Sequence, residues 1–146
     1  MDAQPEQMPD DDLQGFFARQ EGVRLAYLFG SRAEGRADER SDYDFGLLLS
    51  PDADPDARYR LAHELAELLD ADAVDVVPLR RAPIELAFHV IADGRLIYEC
   101  SVAERVDFEA RIMSRYGDWV PVLRRQREDI IRESVEGNLA RRGDCT

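Results

Sequence analysis

Two short apolar runs, Leu25 to Phe29 and Phe45 to Leu49, frame the segment that most constrains this chain. Gly30-Ser31 closes the first run, and after ten further residues Asp42-Tyr43-Asp44 opens the second. Side chains alternate faces along a strand, so Asp42 and Asp44 project to one side and Tyr43 to the other. Two carboxylates on one face, roughly 7 Å apart, are suited to sharing hard divalent cations. Glycine has no Cβ, so at Gly30 a backbone can come close to a ligand. Ser31 adds a hydroxyl that can donate to a phosphate oxygen. A helical turn opening at Arg32 to Glu34 would add a dipole favourable to an anion. Phosphate chemistry on one side and a cation on the other point to a metal–nucleotide site.

The linking segment, about a dozen residues including Gly35, is short for a parallel crossover. The two runs are therefore expected to pair antiparallel. Gly30-Ser31 then ends one strand at the same end of the sheet where Asp42 and Asp44 begin the next.

A length of 146 residues and a hydrophobic share of 45% fit a single globular domain with a real core. The net charge of −12 disfavours a long nucleic acid as partner, because phosphate backbones are gripped by basic surfaces. It permits a basic protein partner and long-range steering toward it. All 19 basic residues are arginine, so any phosphate clamp must be arginine rather than lysine. Cys100 and Cys145 match no metal or redox spacing, and reduced thiols in a cytoplasmic protein are the expectation. The acidic start MDAQPEQMPDDD has no apolar core, and no apolar run approaches ~18 residues, so neither a signal peptide nor a membrane span is expected.

In chain order, Asp10 to Asp12 supply caps and first-turn charges for a helix through Gln20, with Leu13, Phe16 and Phe17 as its stripe and Gly22 as its stop. Strands follow at 23–29 and 43–49. The cluster Asp52, Asp54 and Asp56 lacks the glycine and distal glutamate of a calcium loop. Asp54 is instead expected to cap a helix with Pro55 at its first position, and Leu61, Leu65, Leu68 and Leu69 form its inward stripe. His63 reads as a surface residue on it. The run AVDVVP is a third strand, which the preceding helix should connect in parallel to the second. Asp75 sits inside it, where a buried carboxylate is costly unless paired or metal-bound. It starts its strand as Asp42 and Asp44 start theirs, so all three can meet at one end of the sheet. Pro83 opens a helix that Gly94 ends; His89 on it reads as a hydrogen-bonded structural residue, and RLIYE is a last strand. One helix carrying Val102, Val106, Ile112, Met113 and Tyr116 is expected to end near Gly117, with a bend at Trp119 and Pro121. Another carries Val122 to Leu139, with Arg124, Arg125, Arg127 and Arg132 on its polar face.

The signature Gly30-Ser31, ten residues, Asp42-x-Asp44 resembles that of the DNA polymerase β nucleotidyltransferase superfamily, with Asp75 in the place of its third carboxylate. The segments YLFGSRAEG, SDYDFGLLL, IADGRLIYE and RYGDWVP look like its minimal branch, which includes MntA-type antitoxins. The resemblance implies an α/β (α+β) fold: a mixed-sheet nucleotidyltransferase core at 10–99, flanking helices, and a C-terminal helical pair at 101–140 available for docking, all in one domain, 1–146. It implies that Asp42, Asp44 and Asp75 are the catalytic residues and hold two Mg²⁺ ions, and that Gly30, Ser31 and Arg32 bind the phosphates of ATP. The reaction implied is AMP transfer, with release of pyrophosphate, to a tyrosine of a HEPN-type (HepT-like) ribonuclease toxin. Only about seventy residues follow Asp75, too few for a further domain that grips a primer or tRNA, which agrees with a protein acceptor. Two other functions use the same residues: nucleotide transfer to a small hydroxyl compound such as an aminoglycoside, and an antitoxin that neutralises by contact alone. Three converging carboxylates weigh against the second, because nothing structural requires them.

Overall fold

The computed structural model describes residues 10–30, 43–121 and 125. The chain divides into two compact units, Met1–Ile112 and Met113–Thr146, and the sheet with its helices belongs to the first. The elements run α1 (Asp10–Ala18), β1 (Val23–Phe29), β2 (Tyr43–Leu49), α2 (Ala57–Leu69), β3 (Val74–Pro78), α3 (Ile84–Asp93) and β4 (Arg95–Glu99). A fourth helix, α4, covers residues 102–121.

The sheet order is β3-β2-β1-β4. β1 pairs antiparallel with β2 and β4, and β2 pairs parallel with β3, as the connection lengths require. Helices cover both faces. Tyr43, Phe45 and Leu47 of β2 join Leu13, Phe16 and Phe17 of α1 and Leu61 and Leu65 of α2 in one core. Leu25, Tyr27 and Phe29 of β1 meet Leu48, Leu79 and Val90 of α3 in the other, with Phe108 of α4 packed against it. Each fully buried side chain of this size contributes about 1.5–3 kcal/mol, so the two-sided core dominates the stability of the sheet.

Two glycine and bulge features tune the packing. A Cβ on Gly46 would lie 2.8 Å from Val90 Cγ1 and 3.1 Å from Leu79 Cδ2, so the missing side chain is what lets α3 sit down on β2. In β1 the register shifts between Val23 and Leu25. Such a bulge re-aims a side chain: Leu25 stays in the core while Arg24 reaches Glu104 of α4 with two guanidinium nitrogens, Nε at 3.0 Å. Tyr27, 1% exposed, donates its hydroxyl to Glu109 of the same helix at 2.6 Å. Burial first, and the Glu109 carboxylate second, push the Tyr27 pKa up. Arg105 completes the network by bonding Glu99 of β4 and, at 3.2 Å, Glu109.

Several elements depart from the sequence reading. α1 ends at Ala18, two residues early, in a turn before Gly22 at φ +90. Asp54 does not cap α2; its Oδ1 accepts the Asp56 N–H at 2.9 Å, forming a turn that delays the helix to Ala57, with Asp56 at the N-cap. Leu68 is 38% exposed, so Leu61 and Leu65, with Leu69 partly buried beside them, carry the inward stripe. α4 does not stop at Gly117 but stays helical through 121, and the residues that follow the expected bend at Pro121 lie outside the described ones. Its Val102 and Val106 point outward, 58% and 52% exposed. Its start has a signal that the sequence reading passed over: Ser101 Oγ accepts the Glu104 N–H at 3.1 Å, the Ser-x-x-Glu arrangement of an N-terminal cap. The second C-terminal helix expected from Val122 onward lies, apart from the helical Arg125, outside the described residues.

Candidate active site

The site residues converge because of strand register. In the parallel β2–β3 pair, Asp44 stands directly beside Asp75, and in the antiparallel β1–β2 pair it stands opposite Phe29, the residue before Gly30. Registered residues of neighbouring parallel strands point to the same face, with backbones roughly 4.8 Å apart. Two of the three predicted carboxylates and the predicted glycine therefore meet at one end of the sheet. Asp42, Ser31 and Arg32 lie outside the described residues.

Gly30 has a sharper role than the sequence indicated. Its φ is +80, a left-handed conformation that L side chains rarely adopt, and a Cβ there would lie 2.6 Å from Asp44 Oδ2. The glycine is thus fitted against the carboxylate itself. The backbone conformation disfavours a side chain, and a Cβ would force the Asp44 carboxylate to move.

Asp75 departs from its expected environment. It is exposed rather than buried, because β3 is an edge strand of the sheet. Its solvation removes the argument that burial alone demands a partner. The argument that remains is juxtaposition. Like charges side by side on adjacent strands repel, and a shared hard cation relieves that repulsion. The Asp44–Asp75 pair fits such a cation. Among the described residues no group of three His, Cys, Asp or Glu side chains is placed to hold one.

Other candidates resolve into structural parts. His89 Nδ1 lies 2.9 Å from Asp93 Oδ2 one helical turn on, and its ring meets Phe29 edge-on at 6.3 Å. His63 is exposed beside Glu67, at 3.0 Å. In the acidic loop Asp52 accepts the Ser50 hydroxyl, which lowers its pKa, while Asp54 is occupied by the Asp56 N–H. Among the described residues no helix is long and apolar enough to cross a membrane.

Comparison with known proteins agrees with this geometry. Residues 11–102 match the family model for polymerase beta nucleotidyltransferases. The protein adenylyltransferase MntA of Shewanella oneidensis is 34% identical over 118 residues, spanning 81% of this chain and 80% of the relative. The protein adenylyltransferase MntA of Aphanizomenon flos-aquae is 29% identical over 100 residues, spanning 62% of this chain and 67% of the relative. Among solved structures, a toxin–antitoxin crystal structure with AMP-PNP superposes with a TM-score of 0.73 at 27% identity, covering 85% of this chain and 99% of the other. A complex of the tri-AMPylated Shewanella oneidensis HEPN toxin with its MNT antitoxin gives 0.66 at 26% identity, covering 84% and 95%. With fold, carboxylate register and sequence in agreement, the chain belongs to the polymerase beta nucleotidyltransferase family, in its minimal MntA-type branch.

Proposed function

We propose that this enzyme is an antitoxin that transfers AMP from ATP to a tyrosine hydroxyl of a HEPN-type toxin and releases pyrophosphate. The observation that carries the reading is the registered Asp44–Asp75 pair against Gly30, in a chain whose relatives are named protein adenylyltransferases and whose structural neighbours include an AMPylated HEPN toxin with its antitoxin.

In this reading Gly30 and Ser31, with Arg32, hold the terminal phosphates of ATP. Asp42, Asp44 and Asp75 hold two Mg²⁺ ions. Bound there, the ions supply charge neutralisation for the phosphates and the departing pyrophosphate. Asp44, fixed by register and by Gly30, sets the position of the α-phosphorus. Asp75, solvated and without a protein partner among the described residues, faces the incoming hydroxyl. The hydroxyl oxygen forms a bond to the α-phosphorus, the bond to the bridging oxygen of pyrophosphate breaks, and the hydroxyl proton passes to solvent. Rate enhancement then comes mainly from positioning and fixed charge. Residues 10–99 form the catalytic core and residues 101–140 the docking region, where Val102 and Val106 supply exposed apolar contact. We place the protein in the cytoplasm, where ATP is available and the exposed, free Cys100 stays reduced.

The test is transfer of label from α-labelled ATP to the cognate toxin in the presence of Mg²⁺. Wild type labels the toxin, and Asp75→Asn lowers the rate by at least ~10²-fold while still binding toxin. An Asp75→Asn variant that transfers AMP at the wild-type rate contradicts the assignment.

A further inference from the structure

At the opposite end of the sheet lies a cavity of about 490 Å³, within the roughly 300–1,000 Å³ typical of small-molecule sites. It opens beyond Leu49 and Pro78, the last residues of β2 and β3. Leu49 lies five residues along the strand from Asp44, roughly 16 Å, so the cavity is distinct from the carboxylate site.

Its lining is unusual for so acidic a chain. Arg58, Arg80 and Arg81 all face it, against a single carboxylate, Asp54. That carboxylate already accepts the Asp56 N–H. Arg80 is oriented by its Nε, which donates to the Leu49 carbonyl at 2.6 Å and leaves both terminal nitrogens of the guanidinium for another acceptor. Arg58 lies over the Tyr59 ring, 4.5 Å from its centroid. Among the described residues the Arg81 side chain has no protein partner. Arg58 also donates to the Tyr59 hydroxyl, so of the three guanidinium groups lining this one concave space Arg81 is the one without an acceptor among the described residues; guanidinium is the donor suited to bidentate phosphate recognition.

The walls are also rich in proline. Pro51, Pro55, Pro78 and Pro83, four of the chain's seven prolines, line the cavity. Each fixes its own φ, which lowers the chain entropy that binding would cost. With Leu86 and the Tyr59 ring they give the space apolar lining beside the arginines.

We propose that this cavity is a second ligand site, for a small phosphate ester whose phosphate sits among Arg58, Arg80 and Arg81 and whose organic part rests on the proline and tyrosine side. It stands independently of the transfer reaction. The test is calorimetric titration of AMP into the full chain with EDTA present, so that metal-dependent nucleotide binding is absent, using adenosine as the phosphate-free control. AMP binds to wild type and equally to Asp44→Asn, adenosine does not bind, and Arg81→Glu weakens AMP at least tenfold. Arg81 is exposed and its side chain is unpartnered among the described residues, so this variant folds as wild type does; Arg58→Ala, which should weaken AMP in the same direction, checks it independently. The proposal is overturned by absence of AMP binding at millimolar concentration, by equal binding of adenosine, by unchanged binding to Arg81→Glu, or by loss of binding in Asp44→Asn. Saturation by an acidic hexapeptide with no response to AMP also overturns it, in favour of a protein-borne acidic segment.

Discussion

Gly30 and Tyr27 show how single residues carry different parts of this molecule. Gly30 combines a left-handed φ with a position where a Cβ would meet the Asp44 carboxylate, so Gly30→Ala must both strain the backbone and displace Asp44 Oδ2. Displacements near 1 Å cost about 10²-fold in rate. Gly30→Ala should therefore lose at least that much AMP-transfer activity while its far-ultraviolet circular dichroism stays that of wild type. Tyr27 is buried, and its hydroxyl proton is held by Glu109. Its pKa is raised on folding, so the neutral hydroxyl is the form that the fold favours. The stabilisation is complete below the ordinary tyrosine value of about 10 and is lost as pH climbs toward the folded value. Tyr27→Phe should lower stability near neutral pH by about 1–3 kcal/mol. Urea midpoints of the two proteins should then converge as the pH rises above about 10.

At the scale of elements, sequence and structure agree where one physical rule acts alone. β1 and β2 were legible to the residue because apolar runs ended by Gly30 and Ser50 leave little choice of boundary. Their antiparallel pairing followed from loop length. The helix starts and stops were less legible because local rules compete. At α2, Asp54 satisfies a backbone N–H two residues on instead of capping, which moves the first turn. At α4, Gly117 has the composition of a stop, but an interior glycine costs only about 1 kcal/mol and the helix runs through it. Asp75 was placed in the correct strand, near its start, but with the wrong burial, because the sequence does not say which strand is at the edge. Two substitutions test the packing account. Gly46→Ala inserts a Cβ 2.8 Å from Val90 and should destabilise by about 1–3 kcal/mol in chemical denaturation. Ser101→Ala removes the cap of α4 and should cost about 1 kcal/mol.

For the whole molecule, the parallel β2–β3 pair sets the logic. It brings Asp44 beside Asp75 at one end and ends in the arginine-lined cavity at the other. The net charge of −12 then acts at a distance, favouring approach of a basic partner. In stopped-flow measurements, association with the toxin should slow by about tenfold or more from low to high salt, with dissociation changing far less. The Gly-Ser and Asp-x-Asp spacing already implied the chemistry, while the second cavity had no sequence signature, since its arginines and prolines come from two separate stretches, around the β2–α2 and the β3–α3 connections, and gather only when the sheet forms. The central claim is that Asp44 and Asp75, adjacent by register, act together in nucleotide transfer. The most direct test is the rate of AMP transfer to the toxin by Asp44→Asn, by Asp75→Asn and by the double variant. Each single variant should lose at least ~10²-fold, and the double variant should be little worse than either, as for groups acting as one unit. Independent, multiplicative losses, or near-wild-type transfer by either single variant, would contradict that claim.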